Sequence, residues 1–154
     1  SKLEQAKTAG ASVVVNSMQG DPIAAIETHT KGRLADVSVE TAGVPATQEQ
    51  SVRAVRKGGR ILFLGTAHRD VVFPPDTFER IVRGELTATG SWNSFSAPFP
   101  GGEWTAVLDY IDDGRLKVKP FISHVVPLAN LPQTIRDIAE HKYPFTKVVA
   151  QTME

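Results

Sequence analysis

The chain has 154 residues, with 17 basic against 17 acidic side chains and no cysteine. That length fits one domain, and zero net charge gives no electrostatic reason to expect nucleic acid or an anionic membrane as partner. Disulfides and thiolate ligands are excluded, and neither a signal-peptide pattern nor the roughly 18-residue apolar run of a membrane helix is found, which predicts a cytoplasmic protein.

Residues 2–8 read as the tail of an amphipathic helix closed by Gly10, and residues 12–16 (SVVVN) as a short apolar strand. Asp21 and Pro22 supply an N-cap and a first helical residue for a helix over 22–30. A strand over 36–42 follows, then a helix over 46–57 that ends at Gly58-Gly59. Residues 60–64 (RILFL) form the next strand, stopped by Gly65-Thr66. A helix over 75–83 and a strand over 85–92 come next, then the Pro- and Gly-rich residues 94–102. A helix over 103–112, a strand over 121–126, a helix near 131–141 and a strand over 147–150 complete the chain, without internal repeats.

Strands separated by helices of about ten residues predict βαβ units and a largely parallel sheet. Runs such as VVV and ILFL suit a sheet covered on both faces. In such sheets ligands bind beyond the carboxyl ends of the strands. Three predicted strands end alike, at Thr41-Ala42-Gly43, Gly65-Thr66 and Gly90-Ser91-Trp92. Glycine lets a flat group approach the backbone, so these ends read as one shelf for a planar ligand. Ordinary turn chemistry uses the same residue types.

Other candidates have plainer readings. His29, His68, His124 and His141 are scattered at no metal-binding spacing. Asp109, Asp112 and Asp113 sit at a helix end before Gly114, where a solvated cap is the expected role. Arg53, Arg56, Lys57 and Arg60 surround a predicted helix C-terminus, where cations complement the helix dipole. Ser91 has no histidine or acid at motif spacing, and Trp92 and Trp104 read mainly as packing residues.

The order of "KLEQAKTAGA", "ADVSVETAG", "GGRILFLGT", "GELTATGSW", "DGRLKVKPFISHVVPL" and "TKVVA" resembles the C-terminal, coenzyme-binding half of the zinc-dependent medium-chain dehydrogenases, the alcohol and sorbitol dehydrogenase family. Within it, "ETAGVP" with "GSWNSFSAPFPGGEW" is similar to the polyol-phosphate members. The resemblance implies an α/β, Rossmann-like parallel sheet with flanking helices, truncated at its N-terminal strands. Residues 1–154 would then hold part of a dinucleotide-binding domain and a C-terminal segment returning toward a catalytic domain. It implies a dehydrogenase that oxidises a polyol or polyol phosphate by hydride transfer to NAD, with NADP left open. Zinc in the complete enzyme would polarise the substrate hydroxyl.

Carried over by position, the family's nicotinamide and its ribose would lie against Thr41, Ala42 and Gly43, then Leu64, Gly65 and Thr66, then Ser91, Trp92 and Asn93. No catalytic residue and no metal ligand is implied within this chain. Lys2 matches a lysine that in some members reaches the adenosine ribose, and Thr146 stands where some place an arginine near the pyrophosphate. The Gly-rich turn has no counterpart, since no G-x-G-x-x-G occurs. In the strand order 3-2-1-4-5-6, strands 1 and 2 would be missing, so SVVVN would lose its partner. The chain alone is therefore expected to lack turnover. Valine at Gly43 or Gly65 is expected to weaken NAD binding more than folding, and strand 85–92 to pair with a second copy in a homodimer. The alternatives are a zinc-free quinone-reductase-type relative and a non-catalytic, self-associating α/β module.

Overall fold

The computed structural model describes residues 2–92 and 98–152. In chain order its helices and strands are α1 (Lys2–Thr8), α2 (Pro22–His29), β1 (Ala35–Glu40), α3 (Pro45–Arg53), β2 (Val55–Phe63), α4 (Pro75–Arg83), β3 (Thr87–Gly90), α5 (Gly102–Asp112), β4 (Ile122–Pro127), α6 (Leu131–Ala139) and β5 (Lys147–Gln151). They divide into two compact units, residues 13–95 and residues 1–12 with 96–154. No helix among the described residues is long and apolar enough to cross a membrane.

In the unit of residues 13–95, β1, β2 and β3 form a parallel sheet in that spatial order. Helix α2 starts as predicted: Asp21 accepts a hydrogen bond from the Ile23 N–H at 2.8 Å, and Pro22 occupies the first turn. The core forms where α3 crosses the sheet. Val52, Val55 and Ile61 are buried together, with Phe63, Phe73, Ile81 and Leu86 packed against them. Helix α4 is tied to α3 by the buried Thr77 hydroxyl, which donates to Glu49 at 2.8 Å.

Three sequence expectations change here. Residues 13–16 form no strand. A strand needs a neighbour to take its backbone hydrogen bonds, and β1 is an edge with none beside it among the described residues. The helix expected over 46–57 stops at Arg53. There the Arg80 guanidinium donates to the Arg53 carbonyl at 3.1 Å, and Val55 enters the core as the first residue of β2. The glycine pair sits in a bulge, because Ala35 pairs with Val55 while Val37 pairs with Arg60. Finally, β3 covers only Thr87–Gly90, since Glu85 has φ +50° and Leu86 N–H still bonds back to the Ile81 carbonyl of α4.

Ser91 N–H donates to the Phe63 carbonyl at 3.0 Å. Backbone groups alternate sides along a strand. Thr87 and Thr89 therefore direct their N–H groups to β2, and Ala88 and Gly90 direct theirs to the other edge, which no strand of the described residues occupies.

Within the bulge, Asp36 accepts from Arg56 at 2.6 Å and also pairs with Arg33. The Arg56 hydrogen bond first, and then that from Arg33, hold its carboxyl below the ordinary 3.8. Arg115 does the same to Asp113, and Lys142 to Asp137. A carboxyl depressed by folding adds stability that is full above its unfolded pKa and lost as pH falls through the folded one. The thermal midpoint is expected to fall on acidification below about pH 4. Asp36→Asn should remove a small share of that slope, because the group is solvent-exposed, and leave the midpoint near neutrality almost unchanged. Thermal melts from about pH 3 to about pH 7 read this directly.

The other unit holds β4 and β5 as a separate parallel pair, joined through α6. Ser123 donates to the Lys147 carbonyl at 3.0 Å and accepts from the Thr146 N–H at 3.1 Å. Thr146 in turn donates to Gln5 on α1 at 2.8 Å.

Candidate functional site

The carboxyl ends of β1, β2 and β3 are stitched into one line by main-chain hydrogen bonds. The Glu40 carbonyl accepts from Leu64 N–H at 2.8 Å and from Gly65 N–H at 3.1 Å, and the Phe63 carbonyl accepts from Ser91 N–H. Thr41, Ala42, Gly43, Leu64, Gly65, Thr66 and Ser91 are thereby brought to the same end of the sheet, with Trp92 following as a 66% exposed side chain. Asn93, the remaining residue of the expected shelf, lies outside the described residues. A cavity of about 250 Å³ adjoins this line between α2, β1 and α3, and Thr41 and Ala42 are part of its wall.

The glycines at these ends differ in what a side chain would meet. Gly43, at φ +69°, would drive a Cβ into the Thr66 carbonyl oxygen. A Cβ on Gly65 would strike the Gly43 nitrogen and approach Glu40 Oε2 to 2.6 Å. These two glycines are small because the turns after β1 and β2 pack against one another. Gly90 is the open one: among the described residues, its chain neighbours aside, no atom lies within 4 Å of its Cβ position.

Glu40 organises the corner. Its Oε1 accepts from Ala42 N–H at 2.8 Å, Gly43 N–H at 2.9 Å and the Thr47 hydroxyl at 2.7 Å. The N–H groups of residues 42, 43, 64, 65 and 91 are thus all committed inside the protein. Sequence reasoning passed over Glu40. The available signal was a lone acid closing an apolar strand just before Thr41-Ala42-Gly43, a place where a carboxylate collects turn N–H donors.

In the other unit, a cavity of about 540 Å³ is lined by Lys2, Gln5, Ser123, His141, Lys142 and Thr146, among others. Thr146, at the position of some members' arginine, spends its hydroxyl on Gln5. Among the described residues no group of three or more histidine, aspartate or glutamate side chains could hold a metal ion. The donor set for a catalytic zinc is therefore not met by them.

Parallel strands alternating with helices, and aligned small-residue strand ends, define a Rossmann-like α/β fold. Residues 1–112 match the family model described as zinc-binding dehydrogenase, and the chain belongs to that family. Galactitol 1-phosphate 5-dehydrogenase of Escherichia coli K12 is 34% identical over 143 residues, covering 93% of this chain and 41% of that protein. L-threonine 3-dehydrogenase of Thermococcus kodakarensis is 30% identical over 122 residues, or 77% of this chain and 32% of that one. The crystal structure of galactitol-1-phosphate dehydrogenase from Escherichia coli superposes with a TM-score of 0.84 at 34% identity, over 96% of this chain and 42% of that one. The chain thus spans about two fifths of the length of these galactitol-1-phosphate enzymes.

Proposed function

We propose that residues 1–154 serve as the coenzyme-binding part of a cytoplasmic zinc- and NAD-dependent dehydrogenase acting on a polyol or polyol phosphate. Residues 96–154 would return toward a catalytic domain, and β3 would join two copies into a homodimer. The observation that carries the reading is the stitched line of three strand ends in a chain of the zinc-binding dehydrogenase family. Bound NAD would accept the hydride there.

The chain's own part is orientation. Its N–H groups at Ala42, Gly43, Leu64, Gly65 and Ser91 are engaged internally, so the shelf offers a carboxamide its carbonyl oxygens as acceptors and small side chains as a backing for the ring. Leu64, 39% exposed, and Trp92 supply apolar surface beside them. No step is assigned to zinc, because its ligands are not among the described residues.

Gly90→Val tests the shelf. Its Cβ would meet no other atom of the described residues beyond its chain neighbours, so the thermal midpoint should stay within about 2 °C of the parent. In the full-length gene product NAD affinity, measured by calorimetric titration, should fall about tenfold or more. Unchanged affinity would mean that the ligand does not use this strand end.

A further inference from the structure

The inference rests on the shelf reading above and concerns Glu40. Among the described residues it is the one ionisable side chain in the buried class, at 3% exposure. Three donors converge on Oε1, while Oε2 is buried without a hydrogen-bond partner, 2.6 Å from where a Cβ on Gly65 would stand. A carboxylate oxygen without a partner in a low-dielectric setting costs stability, and its field is weakly screened. A cationic group placed over Gly65 relieves that cost. The nicotinamide ring is such a group when oxidised, and it loses its charge on accepting hydride.

We propose that the Glu40 carboxylate, fixed beneath Gly43 and Gly65 by the turn it gathers, is a positioning residue whose charge favours the oxidised, positively charged nicotinamide over the reduced one. The Glu40 main-chain carbonyl holds the ends of β1 and β2 together, its Oε1 gathers the turn after β1, and its free oxygen supplies the charge. A purely structural residue would support both redox states of the cofactor equally. The proposal therefore predicts a difference between two affinities.

The experiment measures dissociation constants for NAD⁺ and NADH, by fluorescence and calorimetry, in the full-length gene product. Glu40→Gln keeps an oxygen to accept the three donors and removes the charge. NAD⁺ affinity should fall about tenfold while NADH affinity changes less than about threefold. Thr47→Val loosens the same turn without changing charge, and should move both affinities together. Equal shifts, or none, in Glu40→Gln overturn the proposal. If that variant does not fold, Glu40→Asp and Glu40→Asn make the same comparison at a common shorter length. A Glu40→Asp that folds while every uncharged variant unfolds makes the charge a folding requirement, and also overturns it. Failure of the shelf itself is distinguishable: a parent that binds neither cofactor, or a Gly90→Val that binds normally, removes the shelf. An unchanged NAD⁺ to NADH ratio beside a weakened Gly90→Val removes only the role of Glu40.

Discussion

Gly65→Val is expected to destabilise the fold by about 3 kcal/mol or more, lowering the thermal midpoint by roughly 10 °C. The new Cβ would collide with the Gly43 nitrogen and crowd Gly43 Cα and Glu40 Oε2, both at 2.6 Å. Backbone atoms cannot swing aside as a flexible side chain does. Relief requires the turns after β1 and β2 to separate, which breaks the Leu64 and Gly65 hydrogen bonds to Glu40. Gly43→Val should behave alike, with the left-handed φ of +69° adding strain for a β-branched residue. Both variants should lose cofactor binding together with folding, in contrast to Gly90→Val. A Gly65→Val protein with a parental melting curve and weakened NAD binding would restore the simpler view, in which the glycine makes room for the ring.

Thr89→Pro and Ala88→Pro should separate, although they are adjacent. The register sets Thr89 opposite Leu62, and the Ser91 bond fixes its N–H toward β2. Proline there removes a ladder donor and leaves an acceptor on β2 unpaired, at about 2–3 kcal/mol. Ala88 faces its N–H to the free edge, so proline there should be tolerated within the sheet. It would, however, block the edge-to-edge pairing of two copies. Sedimentation of the full-length gene product should show a dimer for the parent and a monomer for Ala88→Pro at unchanged thermal midpoint. A dimer that survives Ala88→Pro must be held by another surface. Thr87→Pro and Thr89→Pro are poor tests of the interface because they attack the sheet itself.

Local chemistry made much of the fold legible. Asp21 with Pro22 marked the start of α2, and the helix Pro75–Arg83 emerged with its predicted bounds. The first three residues of the apolar run ILFL, 61–63, close β2 and pair on both sides, while Leu64 lies just past its end. What failed depended on partners distant in sequence. SVVVN has strand-forming residues but, among the described residues, no neighbour to bond, and propensity cannot supply one. Lys57-Gly58-Gly59 looked like a helix stop, yet the helix had ended at Arg53, where Arg80 of α4 reaches the end of α3 from 27 positions away. The site shows the same division. Small residues at three strand ends were visible, but not that Gly43 and Gly65 face each other, since that contact joins turns more than twenty residues apart. Glu40 was missed because a single acid has no periodicity. Its meaning lies in the three donors that close on it.

The bulge in β2 also bears on how this sequence can vary in length. Between Val55 and Arg60 four residues stand opposite Asp36 alone, and Lys57 and Gly58 are exposed. An insertion or deletion at that point would enlarge or shrink the bulge and leave Ile61, Leu62 and Phe63 opposite Ser38, Val39 and Glu40. Chains differing by a residue here would therefore keep the same spacing at the far end of the sheet. Alignments that open a gap between Arg56 and Arg60 need imply no change at the strand ends.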